Sequence, residues 1–251
     1  MKEIMYGYYG TRIYLPLSRL SRRWRRFTRG LRNKEGRFLQ QVKLPEISWK
    51  SCTNRRIAKI WEHDKANGNI RISELGVISL IAADCEGGTN LFEIGTFDGR
   101  TSLNLAFSSP PECSIYTLDL ASEMDTQFSL APGERHMVEK KRSGMRIEKY
   151  RKSNSSIIAK INQLFGDSAT FDFSPYYNSC SLVFVDGSHA YDYALTDTYA
   201  AMKMLKKGGV IIWHDYGIWD GVTRALEEIE DKERLGLKNI SGTSLVYWKS
   251  E

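Results

Sequence analysis

The stretch LFEIGTFDGRTS, residues 91–102, is a short apolar run that ends on an acid and then meets two glycines four positions apart. Glycine lets a backbone turn tightly and lets a ligand come close. Gly95 and Gly99 therefore predict a sharp corner after a strand, with a helix starting near Arg100 and its free amides facing that corner. The spacing is ExGxxxG. A dinucleotide site would use GxGxxG and hold a pyrophosphate on the helix amides. Here Glu93 precedes the corner, and a carboxylate would repel a phosphate. It suits an ammonium or a sulfonium.

Around this stretch, strand-like runs and helix-like segments alternate. The runs are NLFEI (90–94), SIYTLD (114–119), KINQLF (160–165), SLVFVD (181–186), GVIIWH (209–214) and SLVYW (244–248). Helices are predicted over 100–107, 190–205 and 220–231, and a first one from Ser73 as its cap to the Gly87–Gly88 pair. Near-continuous apolar strands separated by helices indicate a parallel sheet covered on both faces. The expected fold is α/β, a doubly wound, Rossmann-like, mostly parallel sheet of seven strands, with a basic helical appendage before it.

The 251 residues carry a net charge of +6, but residues 1–60 hold 16 Lys and Arg against 3 acids. The basic excess thus belongs to an N-terminal appendage (1–60), and the remaining body (61–251) is acidic. In LSRLSRRWRRFTRGL, Leu17, Leu20, Trp24, Phe27 and Leu31 share one helical face and arginines fill the other. Such a helix can dock on the body or on a second subunit, lie on an anionic membrane surface, or bind nucleic acid through phosphates. Docking is the default because the apolar face needs cover, and no nucleic-acid motif accompanies the arginines. No apolar run follows the early charges as in a signal peptide, and the longest apolar stretch is far below the ~20 residues of a membrane span. The four cysteines lack CxxC spacing and read as reduced thiols. A cytoplasmic protein is expected, peripheral to the inner face of the membrane if the helix binds lipid. Residues 121–158 are too long and polar for a simple crossover and are expected to form a lid or insertion over the ligand-bearing edge.

Open α/β sheets bind ligands at the carboxyl ends of their strands. Those ends carry Glu93, Asp98, Asp119, Asp167-Ser168, Asp186-Gly187-Ser188-His189 and His214-Asp215. Unpartnered buried carboxylates are costly, so this edge should meet solvent or a polar ligand.

The opening stretch resembles the first motif of class I S-adenosylmethionine (SAM)-dependent methyltransferases. LVFVDGSHAYDYALTDTYAAMKMLKKGGVIIWHDY (182–216) resembles the DGxHxY…D…LkpGGviafHDY signature of a small-molecule branch. That branch includes relatives of macrolide-sugar O-methyltransferases and cephalosporin-hydroxylase-like proteins. The resemblance spans about residues 73–249. It implies that Glu93, Gly95, Thr96, Phe97, Asp98 and Gly99 hold the methionine end of SAM. Asp119 would take the ribose hydroxyls, Asp167 and Ser168 would face the adenine, and Asp186 would border the cofactor. The plainer alternatives are that Glu93 caps a helix and that Asp119 and Asp167 are turn residues.

Methyl transfer to an aliphatic hydroxyl needs a base or a metal ion that lowers the hydroxyl pKa. His189 is the expected base, with His214 second and Asp186 beside them. In sugar-methylating relatives the positions of Asp186, His214 and Asp215 are Asp, Glu and Asp, and they bind magnesium. A histidine in the middle weakens magnesium and suits manganese, iron or zinc as well. Tyr191 and Tyr193 could shape an acceptor pocket, while Trp213 reads as core. The function expected is O-methylation of a hydroxyl on a small molecule or glycan, with a homodimer common among such enzymes. The alternatives are a silent methyltransferase-like module held at a membrane and a nucleotide-sugar or NAD-using enzyme.

Overall fold

The computed structural model describes residues 3–6, 42–61, 70–121, 124–134, 142–152 and 154–251. The basic amphipathic segment of residues 17–31 lies outside the described residues. So do the docking, membrane and nucleic-acid readings that rest on it. No helix among the described residues is long and apolar enough to cross a membrane.

The main sheet has eight strands among the described residues, one more than expected. They are β2 (Glu46–Ile47), β4 (Asn90–Ile94), β5 (Ser114–Asp119), β6 (Ile161–Phe165), β7 (Cys180–Val185), β8 (Leu205–Trp213), β9 (Lys238–Ile240) and β10 (Val246–Lys249). Their order is β2-β9-β10-β8-β7-β4-β5-β6. β10 runs antiparallel to both neighbours, and the other pairings are parallel. A separate ribbon pairs β1 (Glu3–Tyr6) with β3 (Ala58–Trp61).

Alternation along the strands sorts the core into two layers. Leu91, Leu182, Phe184 and Ile212 face a layer with α1 (Ile72–Ala82) and α2 (Arg100–Ser108). Phe92, Ile94, Val183, Val185, Ile211 and Trp213 face the other, with α5 (Tyr191–Met204) and α6 (Asp220–Glu233). Two short helices, α3 (Met145–Tyr150) and α4 (Ser155–Ile158), precede β6. Trp213 is core, and its indole nitrogen donates to Thr198 Oγ1 at 2.9 Å.

Three boundaries differ from the sequence reading. Residues 42–61 pack into the body: Leu44, Trp49 and Ile60 are buried and β2 extends the sheet. The body therefore begins by residue 42 rather than at 61. The first helix is capped at Arg71, because the Glu74 carboxylate accepts from the Arg71 backbone N–H at 3.2 Å and from its guanidinium. Ser73 lies inside the first turn. That helix ends at Ala82, and Gly87–Gly88 fall in the turn beyond it.

The order reverses at β4, which lies between β5 and β7. This switch point sets the glycine corner after β4 against the end of β7. Gly95 has φ +101°, and a Cβ there would stand 2.1 Å from the Asp186 carbonyl oxygen. Gly95→Ala should lower the unfolding free energy by roughly 3 kcal/mol or more, through overlap and left-handed strain together. Urea denaturation of the variant checks this; wild-type stability would show that the two strand ends do not touch.

Candidate active site

A cleft of about 650 Å³ opens at the carboxyl ends of β4, β5, β6, β7 and β8. Small-molecule sites span roughly 300–1,000 Å³. Its walls include Gly95, Thr96, Phe97, Asp98, Asp119, Asp167, Ser168, Asp186, His189, His214 and Asp215. All eleven were singled out in the sequence, and they meet at one opening together with Gly166.

The corner is held from below and from the side. Gly95 N–H donates to Leu118 O at 2.8 Å, and the Thr96 and Thr117 hydroxyls lie 2.6 Å apart. Phe97 adopts φ +47°. Gly99 precedes α2 at φ +87°, and a Cβ there would press on Ile147 of α3 at 2.7 Å. Asp98 accepts from Arg146 Nε at 2.8 Å and from the Arg100 N–H at 3.1 Å. The Gly144 and Arg146 amides donate to the carbonyls of Phe97 and Asp98. The 142–150 part of the insertion therefore clamps the corner.

Glu93 is placed differently from the others. It shares the face of Leu91 and points under α2, where Ser102 Oγ and Thr117 Oγ1 donate to its Oε2, the latter at 2.7 Å. It is 1% exposed and is not part of the cleft wall. Burial pushes its carboxyl up to about 8. Asp119 does line the cleft; burial raises it to about 6, against hydrogen bonds from Ser143 and from the Leu120 and Phe97 amides. Asp167 Oδ2 accepts from the Gln127 N–H at 2.5 Å and from Tyr193 OH at 2.9 Å. Tyr193 is thus a cleft residue. Tyr191 lies on the surface side of α5, bonded to Glu228 and beneath Arg224. Behind Ser168 and Gly187 sits Asp197, fully buried; burial lifts it to about 7, against a hydrogen bond from Ser168.

The other end of the cleft is a chain of alternating charges. Arg71 binds Glu74, whose Oε2 lies 3.5 Å from His214 Nε2. His214 Nδ1 is 2.8 Å from Asp186 Oδ1 and 3.5 Å from Asp215 Oδ2. Asp215 Oδ2 is 2.8 Å from His189 Nε2, and His189 Nδ1 is 2.7 Å from Glu134 Oε1. Glu134 also accepts from the His189 N–H and the Ser188 hydroxyl. The His189 ring stacks on Trp219, centroids 4.3 Å apart and planes at 22°.

The ionisation follows from these partners. Burial opposes charge on His189, yet its hydrogen bonds to Asp215 and Glu134 raise it to about 10. Burial opposes charge on His214 as well, and Asp186 and Asp215 lift it well above the usual range. Burial favours neutral Glu74, Asp215 and Glu134, but Arg71 and the two histidines hold all three below the usual carboxylate range. Both ring nitrogens of His189 have carboxylate partners, so in this arrangement it cannot accept a proton until one leaves. The donor atoms of Asp186, His189 and Asp215 lie within 4.8 Å of one another. That converging set contains His189 where the sequence reading had His214.

Sequence reasoning missed Glu74, Glu134 and Trp219. Glu74 carried only a helix-start signal, three residues after Arg71. Glu134 sits in the polar insertion, where nothing in PGER marks it; with Thr126 and Leu130 it brings that segment to the cleft wall.

A methyltransferase-domain family matches residues 92–216, about half of the chain. Among solved structures the chain is similar to the O-methyltransferase TomG from Streptomyces achromogenes, solved with SAM (TM-score 0.51, 16% identity, 73% of this chain and 82% of that one). It is also similar to the O-methyltransferase NovP (0.56, 18%, 72% and 81%). A third is an O-methyltransferase from Bacillus cereus solved with S-adenosylhomocysteine (SAH) (0.50, 14%, 74% and 84%). No curated protein matches the sequence. Fold and motifs together define a class I methyltransferase. The chain belongs to the SAM-dependent methyltransferase family that its two motifs resemble.

The charge chain makes stability depend on pH. The raised histidines stabilise the fold fully below their usual pKa of about 6.5, and this contribution fades as pH rises toward about 10 for His189. The lowered carboxylates stabilise above their usual range and lose that effect on acidification. Urea unfolding at about pH 6, 8 and 10 should show stability falling with alkalinity, and less steeply in His189→Gln. His214 keeps part of the slope. Equal slopes in both proteins would mean that His189 is not held as a cation.

Proposed function

We propose that this protein transfers a methyl group from SAM to a hydroxyl of a small-molecule or glycan-linked acceptor. One observation carries the reading: the glycine corner, the acid at the end of β5 and the histidine–carboxylate chain open into the same cleft. The walls fit SAM chemically. Asp119 can accept two hydrogen bonds from paired ribose hydroxyls. The Gly95–Gly99 loop and the start of α2 border the methionine end, and Asp167 with Ser168 borders the adenine. A rim of carboxylates suits a cationic cosubstrate and would repel a pyrophosphate.

When bound, SAM supplies an activated methyl group, so the chain must align the acceptor, exclude water and remove a hydroxyl proton. Ile70, Ile218 and Trp219 add apolar wall to the cleft, Trp219 against His189. Trp219 also fixes the plane of the His189 ring.

Asp186, His189 and Asp215 form a donor set for a divalent cation. Glu134 holds His189 Nδ1, which leaves Nε2 on the side of the two aspartates. A buried carboxylate behind a histidine is the usual way to orient a metal-binding imidazole. Two carboxylates and an imidazole suit manganese, iron or zinc better than magnesium. The cation would lower the pKa of the acceptor hydroxyl. To hold a cation there, His189 would have to be neutral, with Nε2 unprotonated. Asp186, with 22% of its side chain exposed, is then placed to receive the acceptor proton.

SAH at about 100 times its dissociation constant should stabilise the fold by about 2.7 kcal/mol. Asp119→Ala should weaken SAH roughly tenfold to a hundredfold, the worth of hydrogen bonds to a charged group. Labelled methyl from SAM should appear on a member of a sugar and polyol panel. Chelation should abolish transfer, and added manganese should restore it. Asp215→Asn should lower kcat about a hundredfold or more with SAH affinity unchanged. Absence of any SAH-induced stabilisation would end this reading.

A further inference from the structure

The turn that leaves β8 holds one apolar side chain in solvent at the cleft. Asp215 and Gly217 both take left-handed backbone, at φ +63° and +71°. Every amide after Asp215 in the turn is engaged. Tyr216 N–H donates to Ser244 O at 3.0 Å, and Gly217 N–H donates to Thr223 Oγ1 at 2.9 Å. The Ile218 and Trp219 N–H groups both donate to Asp215 O, at 3.0 and 3.1 Å. Below them the Tyr216 hydroxyl donates to Glu227 and accepts from the Leu44 amide. The side chains divide accordingly. Asp215 and Trp219 go to His189, and Tyr216 is buried. Ile218 joins no core layer. It is 48% exposed, and of the large apolar side chains left exposed among the described residues it alone lines the cleft.

Single apolar residues on a surface are ordinary. This one differs in its support and its place. Non-glycine residues in left-handed backbone cluster at ligand sites, and here that residue is Asp215, the start of a turn held at each amide. Ile218 stands beside Trp219, whose ring rests on His189. It therefore continues the apolar wall from the histidine–carboxylate end of the cleft toward solvent.

We propose that Ile218 is an acceptor-specificity residue: with Trp219 it forms a lip that takes an uncharged apolar substituent of the acceptor. The acceptor is then an amphiphile. Its hydroxyl sits among Asp186, His189 and Asp215, and an aliphatic or aryl tail lies across Ile218 toward the opening. Asp215 in the same turn disfavours a carboxylate or phosphate there. The inference rests on the methyl-transfer reading above and adds to it a class of acceptor.

Binding to the protein loaded with SAH tests this without turnover. Alkyl β-glucosides and 4-alkylcatechols, each with tails from methyl to hexyl, are titrated by calorimetry. In at least one series affinity should rise roughly twofold per methylene, about half of the energy of full burial. The heat-capacity change should grow more negative along that series. Tails of equal length built from ethylene glycol units should bring no gain. In Ile218→Ser loaded with SAH, the rise per methylene should shrink. No chain-length dependence in either series, whether because no member binds or because all bind alike, overturns the inference and leaves the SAM reading intact. A wild-type dimer that Ile218→Ser splits in sedimentation would assign the lip to a second copy and overturn it equally. The wild-type slopes stand even if the variant fails to fold. If SAH itself does not bind, both readings fall.

Discussion

The contact on which this structure turns is between two backbones. At the switch point of the sheet, Gly95 after β4 lies against the carbonyl of Asp186 after β7, with no room for a side chain between them. That contact makes one cleft of two strand ends. On one side it opens the corner that leads into α2. On the other it starts the loop that carries Asp186 and His189. The core layers, the parallel register and the two helix pairs hold these ends in that relation.

The two halves of the cleft follow opposite electrostatic rules. Toward the corner, Glu93, Asp119 and Asp197 are raised by burial, and no basic group is prominent in shifting them. Toward the histidines, Glu74, Asp215 and Glu134 are lowered by cationic partners. The first half favours neutral acids and gains from an incoming cation. The second is internally neutralised, each charge held against an opposite one. Buried ion pairs of this type are weak grounds for stability in themselves, so their value lies in orientation.

Much of this was legible in the chain. All six apolar runs became strands, because burial on both faces leaves an unbroken hydrophobic signature. The glycine corner, Asp119, Asp186, His189 and the His214-Asp215 pair were visible since each follows a strand directly, and strand ends converge. What sequence could not show was direction. Glu93 stands one position before a cleft-lining run, and period-2 alternation turns it under α2 instead. Glu134 reaches His189 from 55 residues away through an insertion without periodicity. The terminal strand β2, two residues long, carries too little pattern to detect.

The clamp of Arg146 and Gly144 on the corner has a consequence for how such an enzyme changes. The stretch that follows β5 supplies Glu134, Thr126 and Leu130 to the cleft wall and, a little further along, the latch on the glycine corner. Edits made there to admit a new acceptor would also alter how firmly the methyl donor is seated. If methyl transfer runs as proposed, choice of alcohol and hold on the donor are mechanically tied.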